Sequence, residues 1–453
     1  MTAMRSVVWN RAMPLFLAGM NSLLSVGFQL SVIYRLGVGG PSDLYYAATI
    51  ITAVLYTIVF DAVSNVLIPM FVEKASQGHN EHTVLLWNSV LGTASLGLLI
   101  LLLAYFPLLF LFPLIFKNLA LAHTGQLGRI FIAYSLFQIL FCLVLVKNCY
   151  LFAEGKPAAA QFGLFSGWVL SLFLVWRVDF ASDVSRIAYC LALGNLLTLL
   201  FPNINRTTFA YRGGLFRAHL TALFTRAAPL ATGSVILKAE ALLDGALASI
   251  CGVGSITVFH FFSRMLLAVS SIVNSGYVQP VTRDFAQAAG NNRWQDLRHI
   301  VRGSAIKSAL TSLFLLLSLA LVFVLVGSLN VRHMAVYIQI FNQHYGVFLV
   351  LLGYLLGSLV WKVYANGLFV LRKERLFAIV CLSTFAAGIL LKFAGTSIYS
   401  LAGLAVGTSL YWVLAASIMA AAFRWSVWRS ETHSWGQTRV LVSPAVSEPD
   451  RAD

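Results

Sequence analysis

Long apolar runs broken by short polar turns organise this chain. A helix needs about twenty consecutive apolar residues to cross a hydrocarbon core roughly 30 Å thick. The pattern predicts twelve such runs: 12–34, 44–72, 84–105, 129–152, 157–178, 186–204, 226–251, 256–281, 304–328, 344–369, 375–395 and 400–423. "PLLFLFPLIF" (Pro107–Phe116) is too short to cross alone and is expected at the interface. The first run follows two arginines, Arg5 and Arg11, and lacks a cleavage pattern. It is too long for a signal-peptide core, so a retained first span is expected. The fold class is an all-α polytopic membrane protein of about twelve helices.

Composition agrees. The 453 residues are 59% hydrophobic and 10% charged, with mean hydropathy +0.83. Soluble domains carry about 25% charged residues. The net charge of +15 raises the question of nucleic acid, and its distribution answers it. With the N-terminus inside, the inner segments hold 21 of the 31 Lys and Arg and the outer loops 7. The remaining three, Lys238, Arg264 and Lys362, fall within spans. Such a bias is a topology signal, and the inner basic residues suit anionic lipid headgroups. Both termini are therefore expected in the cytoplasm, with no nucleic-acid partner. Five cysteines sit in apolar segments with no CxxC or Cys/His pattern, which suggests neither disulfides nor a metal site.

The chain divides into a six-span lobe (1–205), a basic amphipathic cytoplasmic linker (206–225), a second six-span lobe (226–423) and a polar, disordered tail (424–453). The halves echo each other. "GVGGPSDLYYAA" (Gly37–Ala48) and "GVGSITVFHFFSR" (Gly252–Arg264) each join a GVG turn to paired aromatics and a helix that exits at a proline. Parallel repeats of this kind are typical of transporters. They lead us to expect the first and seventh spans facing each other across a central cavity.

Charges within the spans carry the functional question. A mid-membrane charge costs about 2.5–3.5 kcal/mol on insertion scales, so it normally faces a bundle interior or a wet cavity. Glu240 and Asp244 lie four residues apart on one helix face, with Lys238 near them. Arg264 and Lys362 fall in the eighth and tenth spans, and Asp61 in the second. Lys238 could instead snorkel, Glu240 could form a structural pair with Lys362 or Arg264, and Asp61 could be a packing residue. The surplus of cations favours a cavity for an anion.

These segments resemble the MurJ/MviN lipid II flippases of the MOP superfamily (multidrug, oligosaccharidyl-lipid and polysaccharide exporters). "YRLGVGGPSDLYYAA" with "DAVSNVLIPMFVE" is similar to the family's opening, and places Asp43 on its aspartate. "LLDGALASICGVGSITVFHFFSRM" matches the seventh and eighth helices with Asp244 and Arg264, and "VWKVYANGLF" matches the tenth with Lys362. "SLAGLAVGTSL" matches the start of the twelfth and carries Thr408. The resemblance implies a two-lobed, V-shaped alternating-access carrier in the bacterial cytoplasmic (inner) membrane. Its cargo would be a polyprenyl-pyrophosphate-linked glycan, taken up by a cationic cavity.

On that reading Arg264, Lys362, Lys238 and Arg35 bind substrate, with Arg264 and Lys362 together holding the pyrophosphate. Asp244, Glu240, Thr408 and Asp61 serve coupling to sodium, protons or the membrane potential, and Asp43 serves a gate. No catalytic residue, metal or cofactor is expected, and the carrier is expected to work as a monomer. The chain departs from the family in several places. The first span keeps only Arg35 of the arginines there, and Leu55-Tyr56 replace another in the second. Two further C-terminal helices are missing, and "STFAAGILLKF" brings no side-chain sodium ligand from the eleventh. The competing readings are a drug or cation antiporter of the same superfamily, which would want an acidic cavity, and a membrane-embedded glycosyl- or acyltransferase.

Overall fold

A computed structural model describes residues 2–77, 79–116, 124–180, 183–201, 239–328, 335–371 and 373–441, with isolated residues between. Those residues are almost wholly helical. In the first half they form α1 (Thr2–Leu36), α2 (Gly40–Gln77), α3 (His79–Ile115), α4 (Leu127–Ala153), α5 (Pro157–Arg177) and α6 (Ser185–Leu200). In the second half they form α7 (239–250), α8 (Ser255–Val273), α9 (Gln279–Gly290), α10 (Trp294–Ser328), α11 (Ala335–Val370) and α12 (Glu374–Leu441). A π turn over Asn274–Val278 joins α8 to α9, so together they make the long eighth element. Backbone breaks at Tyr399 and Ser400 split α12 into two arms, which cover the eleventh and twelfth predicted spans. Each of the twelve predicted runs thus falls on helix, the sixth and seventh only in their described parts.

Small residues let these helices meet backbone to backbone. On α5, Gly163, Gly167 and Ser171 recur every four residues and face Gly194 and Thr198 of α6. A Cβ at Gly167 would lie 2.6 Å from the Gly194 carbonyl oxygen. Close approach through small residues is how apolar helices gain packing where lipid removes the hydrophobic drive. The same device brings the arms of α12 together at Gly395 and Gly403, and seats α11 on the second arm through Gly357 against Trp412.

Helices α1–α6 pack among themselves, and α8–α12 do likewise. The main core is continuous from Phe28, Tyr45 and Ile51 of the first lobe to Ile256, Phe262 and Val273 of the second. A separate cluster around Leu67, Phe71, Leu85 and Tyr150 belongs to the first lobe alone. The described parts of the lobes are therefore joined by α1 and α2 against α8, with α1 also meeting the π turn at Asn274–Val278.

Three expectations change. Pro107–Phe116 is no separate interfacial piece, because α3 runs through both prolines to Ile115. Its inner face (Leu108, Phe112, Phe116) is buried, while Leu103, Phe106, Phe110 and Leu114 are exposed as a lipid-facing stripe. The tail is not disordered from 424, since α12 continues to Leu441 with Val427 buried and Glu431 paired to Arg298 at 2.7 Å. Two lysines assigned to loops, Lys147 and Lys392, are buried within helices. Taking one from each side leaves the basic bias at 20 to 6. Where the lobes meet, α1 packs on α8. The seventh meets α2, where a Cβ on Gly245 would lie 3.0 Å from Ile50 Cδ1. The linker 206–225, apart from two isolated positions, and residues 442–453 lie outside the described residues.

Candidate functional site between and beneath the lobes

The two GVG turns meet each other. Gly37, Gly252 and Gly254 adopt positive φ (73°, 127° and 87°), which only glycine takes without strain. A Cβ at Gly254 would lie 2.8 Å from Val38 Cγ1, so the opposing turn leaves no room for one. Gly254 is also the N-cap of α8 and has no side chain to satisfy the first turn. Asp43 supplies that cap from the other lobe. Its carboxylate accepts from Gly254 N (2.6 Å), Thr257 N (2.8 Å) and Thr257 Oγ1 (2.6 Å). Thr257 also hydrogen-bonds Ser42 at 2.9 Å. The carboxylate thus neutralises the positive end of α8, and at 2% exposure it does so out of water. Tyr337 strengthens the same contact by donating its hydroxyl to the Leu30 carbonyl.

Beneath this contact lies a polar and aromatic layer. Tyr46 packs on His260 with ring centroids 4.6 Å apart, and Tyr45 donates to Gln29 at 3.2 Å. Arg264, one turn below His260, donates its Nε to His260 Nε2 at 3.2 Å. That bond fixes His260 as a neutral acceptor on Nε2. Among the described residues Arg264 has no carboxylate partner, and neither has Lys362.

The carboxylates expected near them are engaged elsewhere. Lys392 Nζ, on the first arm of α12, lies 2.7 Å from Glu240 Oε1 and 2.7 Å from Asp244 Oδ1. Trp412 Nε1 donates to the same Glu240 oxygen at 2.8 Å, and the Tyr411 ring covers the ammonium at 4.9 Å. Lys392 is 1% exposed, so this triad is fully inside the second lobe. A sodium ion at Asp244 and Thr408 does not fit these residues. The side of Asp244 that would face the ion already faces an ammonium, and the eleventh span supplies a cation where a ligand is needed.

The remaining site residues fall as follows. Arg35 is committed to the carbonyls that end α5, at 3.4 Å from Val175 O, 3.1 Å from Trp176 O and 3.3 Å from Val178 O. Its guanidinium also lies 5.0 Å over the Phe180 ring. Thr408 is buried with an unpartnered hydroxyl. Helix α2 passes through Asp61, whose side chain lies outside what is described, as does the whole of Lys238.

Arg264 and Lys362 do not share one position. Asn366 bonds Thr282 at 3.3 Å, which fixes the register of α11 against the α8–α9 element. Arg264 precedes Thr282 by eighteen residues and Lys362 precedes Asn366 by four. At 1.5 Å per residue the two cations stand about 20 Å apart along the bundle axis. One pyrophosphate cannot touch both at once, which corrects the shared clamp.

Sequence reasoning missed Lys392 and Lys147. The second donates its ammonium to the Thr198 carbonyl near the end of α6. Both signals were in the text of the chain, as lysines inside apolar runs, but both stood near predicted span ends.

No family model matches the sequence, and no curated protein matches it. Solved structures do match over the whole chain. An inward-facing multidrug resistance MATE transporter of the MOP superfamily superposes with TM-score 0.70 at 13% identity, covering 93% of this chain and 99% of that one. The lipid II flippase MurJ in an inward closed conformation gives 0.66 at 13% identity, covering 98% and 92%. A Vibrio cholerae MATE transporter gives 0.63 at 14%, covering 94% and 98%. The chain therefore has the two-lobed, all-α fold of these membrane proteins.

Proposed function

We propose that this protein is a flippase of the inner membrane that moves a polyprenyl-pyrophosphate-linked glycan by alternating access of its two lobes. The observation that carries the reading is the charge balance inside the second lobe. The two carboxylates described within its spans, Glu240 and Asp244, are held by Lys392, so Arg264 and Lys362 are left without carboxylate partners among the described residues. An unpaired cation within a membrane span is costly, and an anionic cargo would relieve that cost. The fold supports the choice of cargo, since the matched structures include a lipid II flippase. A drug or cation antiporter shares the fold. It is the weaker reading because Glu240 and Asp244, the carboxylates described within the spans of the second lobe, already hold an ammonium.

The separation of the two cations suggests successive stations for one pyrophosphate. By the positive-inside bias the loop that holds Gly37–Asp43 lies outside, so the Asp43 contact closes the outer end. Lys362 then stands near the inner mouth and Arg264 just beneath the closed gate. Arginine offers a planar, bidentate grip on phosphate oxygens at the second station, and each charge-assisted bond contributes about 1.5–3 kcal/mol. The function is tested with purified protein in liposomes, following a fluorescent polyprenyl-pyrophosphoryl sugar from one leaflet to the other. Transport of that lipid, slowed in Arg264→Ala and not shared by a cationic dye, is expected. Export of the dye with no lipid movement would overturn the reading in favour of an antiporter.

A further inference from the structure

We infer that the Glu240–Asp244 pair is a monovalent-cation site whose resident cation is the chain's own Lys392 ammonium, so that sodium does not bind there. The surroundings are built for that ammonium. Two carboxylate oxygens approach it at 2.7 Å from one side and the Tyr411 ring closes the other at 4.9 Å. An ammonium between carboxylates and a ring face is bound by the same forces that hold a free cation.

The backbone is shaped to deliver it. A Cβ on Gly407 would lie 2.7 Å from Lys392 Cα, so only glycine lets the arms of α12 close to this distance. A Cβ on Gly388, one turn before Lys392, would lie 2.5 Å from the Tyr411 ring, which therefore needs that gap to reach the ammonium. Trp412 fixes the Glu240 oxygen from a third direction, and its own backbone is seated against Gly357. Thr408 lies one turn before Trp412 on the same arm, with a buried hydroxyl that has no partner. Remove the ammonium, and two carboxylates with a hydroxyl nearby make an oxygen-lined site of the kind alkali cations take.

A purely structural ion pair is the competing explanation. Pairs of that kind add little over apolar packing, while loss of one partner is strongly destabilising. Both ideas therefore expect Lys392→Met to lower stability, and only the tethered-cation idea expects sodium to restore it. The proposal does not depend on which cargo the protein moves.

The experiment is thermal unfolding of the full chain in detergent, in sodium chloride against N-methylglucamine chloride at equal ionic strength. The wild type is expected to show the same Tm in both salts. Lys392→Met should unfold earlier in N-methylglucamine and gain about 2 °C or more in sodium, as for a ligand that binds only the native state. Adding Asp244→Asn to Lys392→Met should abolish the gain. If Lys392→Met cannot be purified, Lys392→Met/Glu240→Gln removes one charge of each sign and is read in the same way. A folded variant indifferent to sodium would overturn the proposal. So would a wild type that gains stability specifically from sodium and loses the gain in Asp244→Asn.

Discussion

Asp43 is the residue on which the closed contact between the lobes most depends, and its replacement by alanine has a calculable effect. The substitution removes three hydrogen bonds to the N-terminal turn of α8. It leaves the amides of Gly254 and Thr257 facing an apolar side chain in the closed state. When the lobes part, those amides and the carboxylate both meet water, so only the net value of the cap counts. Loss of an N-cap costs about 0.5–2 kcal/mol, and loss of a negative charge at a helix N-terminus about 0.3–1 kcal/mol. Together these favour the open state by about 1–3 kcal/mol, a factor of roughly 5–150 in the equilibrium. Asp43→Asn keeps one acceptor oxygen and loses the charge, so it should fall between alanine and wild type. Spin labels at Tyr189 and Val253, both exposed, report the separation of the lobes at this end by double electron–electron resonance. The native cysteines are first replaced. A long-distance population that grows in the order wild type, Asn, Ala is expected. An unchanged distance distribution in Asp43→Ala would show that the trans cap does not hold the lobes together.

Three further outcomes follow from the geometry. Gly167→Ala drives a methyl against the Gly194 carbonyl and should lower stability by about 1–3 kcal/mol; an unaltered Tm in detergent would mean that the α5–α6 seam is looser than it looks. Arg264→Ala and Lys362→Ala should each slow transport, and because they stand about 20 Å apart their effects should add within about 0.5 kcal/mol in a double-mutant cycle. A large coupling energy would restore a shared clamp. Asn291→Cys lies on the exposed turn between α9 and α10, so in intact cells a membrane-impermeant maleimide should leave it unlabelled; labelling from outside would invert the topology.

The helices were legible because lipid imposes one rule: every backbone polar group must be satisfied within the segment, so apolar length alone marks a span. The GVG repeat was legible for a related reason, since a turn with positive φ has few residues to choose from. Partnership was not legible. Glu240 and Asp244 announce themselves as carboxylates in an apolar run, but their cation is 152 positions from Glu240 along the chain. Apolar periodicity says nothing about which helix faces which, and a lysine seven residues before the Tyr399 break looked like a loop residue. Asp43 shows the opposite case. Its match to the family's opening aspartate implied a part in a gate, yet its contact is with the N-terminus of α8 in the other lobe, which no local pattern specifies. The pairing of Lys392 also changes the charge balance. Once Lys392 takes both carboxylates, the second lobe has more uncompensated cation than the sequence suggested. The case for an anionic cargo therefore rests on Arg264 and Lys362 more firmly after the pairing is known than before it.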